Sequence, residues 1–321
     1  MPETIVVLDQ IPDEWAVLLR KLMPTNMVLH SAPSSSEEDL KQLISQADYA
    51  IAVNASVSAD VLGSAVNLKL LHKWGVGVDN LDLEAARKLG VKVARTTGSN
   101  AIPVAEFAIG LMLSALRCIS HSSAAVKNGN WEGGSLPTQT MMLSNKTVGI
   151  IGFGAIGKTV AKLLQGFGCQ ILYNKTTPLD KKEEVALGVE FAEFPDLLSR
   201  SDIVCLCCPL TPQTVGLIDR LAFQQMKSTA VLINVARGGV VVENDLIWAL
   251  RSGTIMAAAM DVFEIEPLPK DSPLLGLDNL VLTPHIAANA SDNFDKTVSQ
   301  MMNNIARVSR GEQVASQDVV P

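Results

Sequence analysis

Residues 147–164, TVGIIGFGAIGKTVAKLL, form the stretch that decides the fold. An apolar run, TVGII, stops at Gly152, and an amphipathic helix opens just beyond it. Between them Gly152, Gly154 and Gly157 stand in the G-x-G-x-x-G spacing. Strand, glycine turn and helix in this order make the context in which that spacing holds a pyrophosphate. Gly152 permits the tight turn, Gly154 lets the backbone approach the anion, and Gly157 lets the helix pack on the strand. The N–H groups of Ala155 and Ile156 then point at the anion, aided by the helix dipole. The stretch predicts a dinucleotide-binding α/β domain.

Working outward, strand and helix signals alternate on both sides. Upstream, TIVVLD, MVLH, YAIAV, LKLLHKWG and VKVART read as strands separated by helical segments, the last of them closed by Gly90. Apolar strands in repeated β-α units mean a parallel sheet. Residues 1–98 therefore predict one doubly wound, flavodoxin-like domain, and residues 99–288 a second, Rossmann-type domain. SNAIPVAEFAIGLMLSALRCI (99–119) reads as a buried helix, with Asn100 placed to cap it and Pro103 in its first turn. A loop, KNGNWEGG (127–134), follows. The helical tail after residue 289 is expected to return to the first domain, because domain termini tend to lie close together.

Composition narrows the function. The chain has 321 residues, 48% hydrophobic and 18% charged, which suits two compact domains. A net charge of −7 and a pI near 5.2 argue against nucleic acid or an anionic membrane as partner. The longest uninterrupted apolar run, Phe107–Leu116, is too short to span a bilayer, and the N-terminus has no basic leader. Five cysteines, Cys118, Cys169, Cys205, Cys207 and Cys208, share no metal-ligand spacing with the four histidines. They read as reduced thiols of a cytoplasmic protein, and no metal is expected.

Three strand-like runs end in reactive side chains. VLINVARGG (231–239) ends in Arg237, AAAMDVFEIEPLP (257–269) in Asp261 and Glu266, and NLVLTPHIA (279–287) in His285. Ligands bind beyond the carboxyl ends of strands in open α/β sheets. Reduction of a 2-oxo acid by hydride needs this set. A guanidinium binds carboxylate and carbonyl in a fork. A histidine donates the proton near neutral pH, and a carboxylate orients it and favours its charged form.

With these residues in place, the chain resembles the D-isomer-specific 2-hydroxyacid dehydrogenases over nearly its whole length. The resemblance rests on GFGAIGK (152–158), LLSRSDIVCLCCPLTPQTVGLID (197–219), MKSTAVLINVARGGVVVENDL (226–246), DVFEIEPLP (261–269) and TPHIA (283–287). It implies that Arg237, Glu266 and His285 are the catalytic trio. It implies that KWGVGVDN (73–80) is the substrate loop, with the N–H groups of Val76 and Gly77 on the substrate carboxylate. Asp261 matches the residue that binds the nicotinamide carboxamide, and Asn100 and Val104 match the entry to the helix passing the nicotinamide. Val235 joins the cofactor-binding set. The first domain becomes the substrate domain, and a homodimer is expected, with the helix from Pro103 and the MMLSN segment as interface candidates. Small 2-oxo acids such as glyoxylate and hydroxypyruvate are the first choice of substrate. A 2-ketogluconate-type or phosphoglycerate-type reductase, or a dinucleotide-sensing interaction protein, are the alternatives. Glu266 counts against a formate dehydrogenase, which resembles a glutamine there. Lys73 and Trp74, ahead of the substrate loop, read as a helix-capping cation and a packing aromatic.

Two positions depart from the family. Cys207 stands where His or Asn is usual. Asn174, 22 residues after Gly152, stands where NAD-dependent members carry the ribose-binding Asp. An Asp there would repel a 2′-phosphate. Asn174 does not, Lys175 offers a cation, and Thr176 offers a hydroxyl. The cofactor expected is NADP(H) in preference to NAD(H).

Overall fold

The computed structural model describes residues 2–131 and 140–320; residues 132–134 of the expected loop lie outside them. The chain divides into two units. Unit 1 is Met1–Asn100 with Ala290–Pro321, and unit 2 is Ala101–Asn289.

Unit 1 carries β1 (Glu3–Val7), β2 (Met27–Ser31), β3 (Tyr49–Ala52), β4 (Leu70–Lys73) and β5 (Lys92–Arg95), all parallel, in the order β2-β1-β3-β4-β5. This is the flavodoxin-like order, with its switch point between β1 and β3. Both β3 and β4 are buried along their whole length, β3 as an apolar run and β4 with His72 and Lys73 buried at its end. Three of the intervening helices start where polar side chains satisfy free N–H groups. Ser36, Ser58 and Asp82 accept from Asp39, Val61 and Ala85 respectively. The tail helix, Phe294–Ser309, returns to this unit and buries Val298, Met301, Met302 and Ile305 against Ile5, Val7 and Leu70. Each such side chain contributes about 1.5–3 kcal/mol.

Unit 2 carries β6 (Thr147–Ile151), β7 (Gln170–Asn174), β8 (Val189–Phe191), β9 (Ile203–Leu206), β10 (Val231–Asn234), β11 (Ala257–Met260) and β12 (Leu280–Leu282). Their order, β12-β11-β10-β9-β6-β7-β8, is the Rossmann order with one strand added at the edge. Its two faces hold separate apolar cores. On one face the helix Ala101–Arg117 buries ten residues, as its nearly uniform apolar character predicts.

That helix does not run on through residue 119. Cys118 adopts the left-handed conformation (φ 52°), and a second helix, Ile119–Lys127, follows with no buried residue. No glycine marks the break. The cap expected of Asn100 is also not made, since its Oδ1 is buried without a partner. Among the described residues no single helix is long and apolar enough to cross a membrane.

Candidate active site

The switch point of the second sheet lies between β6 and β9, and the glycine turn sits at its carboxyl edge. Gly152 has φ +90°, and a Cβ on it would lie 2.4 Å from the Cys208 nitrogen. A Cβ on Gly157 would lie 2.4 Å from the Gly152 oxygen. Both positions therefore accept only glycine, one for the turn and one for helix-on-strand packing. Gly154 is different, because a Cβ there would meet nothing within 4 Å. The space over Gly154, ahead of the first turn of the helix Ala155–Leu164, is open for a ligand. This geometry fits a dinucleotide pyrophosphate, with Gly154, Ala155 and Ile156 as the residues that would hold it.

At the end of β7, the Asn174 amide donates to the Ala192 carbonyl at 2.9 Å. That bond fixes the amide and leaves Oδ1 as its remaining acceptor. Lys175 is half-buried, Thr176 exposed, and neither side chain is paired among the described residues. Past the end of β9, the thiol of Cys207 touches that of Cys205 at 3.8 Å. This contact, with burial, holds the Cys207 thiol well above its ordinary pKa, and burial pushes Cys208 up to about 11. Thiols held protonated are poor nucleophiles. Val104 and Val235 both belong to the apolar core under the sheet, 3% and 7% exposed.

The three strand ends converge in part. His285 Nδ1 lies 2.7 Å from Glu266 Oε2, and the Phe263 N–H donates to Glu266 Oε1 at 2.9 Å. Burial would raise the Glu266 carboxyl, but the bonds from His285 and Phe263 and the charges of His285 and Arg237 hold it below its ordinary value. Arg237 donates to the Ala236 carbonyl at 2.8 Å. Its turn is clamped by buried Asn234, whose amide donates to the Arg237 carbonyl and whose Oδ1 accepts from the Ala236 N–H, both at 3.0 Å. Gly238 packs so closely that a Cβ would lie 1.9 Å from the Phe263 carbonyl carbon. The backbone after Arg237 thus abuts the backbone leading to Glu266.

Asp261, 1% exposed, builds the loop that carries His285. Its carboxylate accepts from the Thr283 hydroxyl (2.6 Å) and the N–H groups of Ile286 (3.0 Å) and Ala287 (2.8 Å). Its backbone oxygen accepts the His285 N–H at 2.8 Å. These bonds keep His285 at φ 54°, a conformation costly for a residue with a side chain. Asn234 and Thr283 were not singled out in the sequence. A polar residue closing an apolar strand was the only signal available for either.

In unit 1, Trp74 packs edge-on against Phe294 (5.3 Å) and tilted against Trp15 (5.3 Å), as a packing aromatic should. Lys73 donates to the Val53 carbonyl, just past β3, and, at 2.9 Å, to Asn80 Oδ1 at the end of the KWGVGVDN stretch. Among the described residues no group of three or more His, Cys, Asp or Glu could hold a metal ion.

Comparison with known proteins shows the family of the chain. Residues 109–287 match the family model for the NAD-binding domain of D-isomer-specific 2-hydroxyacid dehydrogenases. The chain is 40% identical over 258 residues to a human glyoxylate reductase/hydroxypyruvate reductase, covering 79% of this chain and 78% of that one. It is 38% identical over 277 residues to a D-3-phosphoglycerate dehydrogenase of Archaeoglobus fulgidus, covering 85% of this chain. The chain spans about half the length of that relative, 52%. A solved structure of an NAD-dependent formate dehydrogenase from Staphylococcus aureus, in complex with NAD, superposes with a TM-score of 0.87 at 27% identity over 99% of each chain.

Proposed function

The chain belongs to the D-isomer-specific 2-hydroxyacid dehydrogenase family, and on that premise we propose that it reduces small 2-oxo acids, glyoxylate and hydroxypyruvate first, with NADPH preferred to NADH. The observation that carries this reading is the 2.7 Å contact between His285 and Glu266, made at strand ends beside the charge of Arg237. The nicotinamide supplies hydride to the substrate C2. The rest falls to the protein. Arg237 binds carboxylate and carbonyl oxygen, and its charge stabilises the oxyanion that develops. His285 gives its proton to that oxygen from Nε2, because Nδ1 is occupied by Glu266. Glu266 holds the ring in place through Nδ1. The N–H groups of Val76 and Gly77 take the substrate carboxylate, and Asp261 adds an acceptor for the nicotinamide carboxamide.

The NADPH preference is supported by Asn174, whose neutral amide leaves a 2′-phosphate unopposed beside Lys175. A homodimer is supported by exposed apolar side chains on one stretch of unit 2: Ile102, Ile119, Val126, Trp131 and Met142 are all more than half exposed. Reduced thiols suit a cytoplasmic setting.

The test is a panel of 2-oxo acids assayed with NADH and NADPH side by side, with Arg237→Ala alongside wild type. The expected result is NADPH-dependent turnover that falls about a thousandfold in Arg237→Ala while NADPH still binds. Preference for a phosphorylated 2-oxo acid would favour the phosphoglycerate-type activity named for the Archaeoglobus relative. No turnover with any of them would favour a dinucleotide-sensing role.

A further inference from the structure

The substrate loop of unit 1 is held from behind by the residues that end and follow β5. Gly75 donates its N–H to Thr96 Oγ1 at 2.9 Å. Its carbonyl accepts from the Thr96 N–H at 3.0 Å and from the Thr96 hydroxyl at 3.2 Å. Thr96 is fully buried, and Gly75 has φ +134°, a conformation that favours glycine. One residue on, the Val76 carbonyl accepts from Arg95 Nη1 at 3.4 Å.

A trans peptide is planar, so its C=O and N–H point in opposite directions. Drawing the Gly75 carbonyl toward Thr96 turns the Val76 N–H away from β5. Drawing the Val76 carbonyl toward Arg95 does the same for the Gly77 N–H. Neither N–H has a partner among the described residues. Successive N–H groups turned outward make an anion-binding concavity. Arg95 brings a cation to it. Among the described residues no carboxylate pairs with Arg95, and its Nε is buried without a partner.

We infer that Thr96 and Arg95 are positioning residues that aim the N–H groups of Val76 and Gly77 at the substrate carboxylate, Thr96 setting the first and Arg95 the second. Neither needs to touch the substrate to act. The inference rests on the proposed reductase reading, in which those two N–H groups take the carboxylate.

The experiment compares Thr96→Val, Thr96→Ser and Arg95→Met with wild type. Thr96→Val keeps the shape and removes the hydroxyl. It should raise KM for the 2-oxo acid about tenfold with kcat within about twofold, as expected when binding is lost equally from ground and transition states. Thr96→Ser should restore KM, Arg95→Met should raise it as Thr96→Val does, and NADPH affinity should stay at the wild-type value in all three. An unchanged KM in both Thr96→Val and Arg95→Met, or a Thr96→Ser as impaired as Thr96→Val, overturns the inference. If Thr96→Val does not fold, Arg95→Met and Thr96→Ser decide it alone. Oxalate binding, measured by calorimetry with NADPH present, needs no turnover. Wild type that binds oxalate more tightly than Arg95→Met but reduces no 2-oxo acid keeps the aimed cradle and rejects the reductase. Wild type that turns over with no KM change in the variants rejects the cradle and keeps the reductase.

Discussion

His285 Nδ1 lies 2.7 Å from Glu266 Oε2, while the second oxygen of Glu266 holds the Phe263 N–H. Each carboxylate oxygen has one task, so the ring is steered by a group that is itself fixed. Glu266 keeps its charge to a pH below its ordinary value of 4.5, and the pairing is lost only as pH falls further. Glu266→Gln retains a polar side chain but loses the carboxylate that grips the ring from Nδ1. Its kcat/KM for the 2-oxo acid should fall about tenfold while NADPH affinity stays at the wild-type value. Steady-state kinetics and NADPH titration check this, and an unchanged kcat/KM counts against the role given to Glu266.

The glycine turn makes opposite predictions for neighbouring glycines. Gly154→Ala adds a methyl group into open space, so thermal stability should stay within about a degree while NADPH affinity falls about tenfold. Gly152→Ala forces a Cβ against the Cys208 backbone at φ +90° and should cost several kcal/mol of stability, on the order of 3. Calorimetric melting and NADPH titration separate the two outcomes.

Asn174→Asp tests cofactor choice. A carboxylate there would repel a 2′-phosphate and accept from the ribose hydroxyls instead. The ratio of kcat/KM for NADPH over NADH should fall about a hundredfold, mostly through KM for NADPH. A wild type that already uses NADH at least as well as NADPH sinks the preference before any variant is made.

A fourth prediction concerns stability in unit 1. His72 is fully buried, donates from Nδ1 to the Lys73 carbonyl at 2.9 Å and accepts at Nε2 from Asn304 at 3.1 Å. Burial pushes its pKa down to about 4, although the Lys73 carbonyl and Asp318 pull the other way. The unfolded chain binds the proton near 6.5, so stability is complete above that pH and is lost as pH falls from 6.5 toward 4. The loss is on the order of 3 kcal/mol. Urea midpoints of wild type and His72→Gln at pH 7 and pH 5 should show the wild type losing more on acidification. Equal losses would mean that another group titrates.

The two sheets and the His285–Glu266 pair were legible in the sequence, because both are written locally. An apolar strand followed by Gly152 leaves few readings, and Arg237, Glu266 and His285 each close a strand-like run. The supporting side chains were hidden because their partners lie far along the chain. Thr96 acts on Gly75, Thr283 acts on Asp261, and no spacing rule links either pair. Lys73 likewise donates to the Val53 carbonyl, 20 residues earlier, and nothing local announces that bond. The helix Ile119–Lys127 had no buried stripe to announce it, and its start depends on a left-handed cysteine that no propensity favours.

Unit 1 is assembled from both ends of the chain, and this has a consequence for synthesis. Its five strands leave the ribosome before unit 2, but the helix Phe294–Ser309 that covers Ile5, Val7 and Leu70 leaves after it. So does Asp318, which accepts from Thr97, Gln300 and Asn304. Unit 2 is contiguous and has its whole sequence available earlier. Until the tail emerges, that face of the first sheet has only the helix Asp13–Leu22 as cover and leaves apolar surface exposed while the second unit folds. Stalled chains ending at residue 289 should yield a protease-resistant 101–289 core and a digestible 1–100. Equal resistance in both would show that the first sheet closes without its tail.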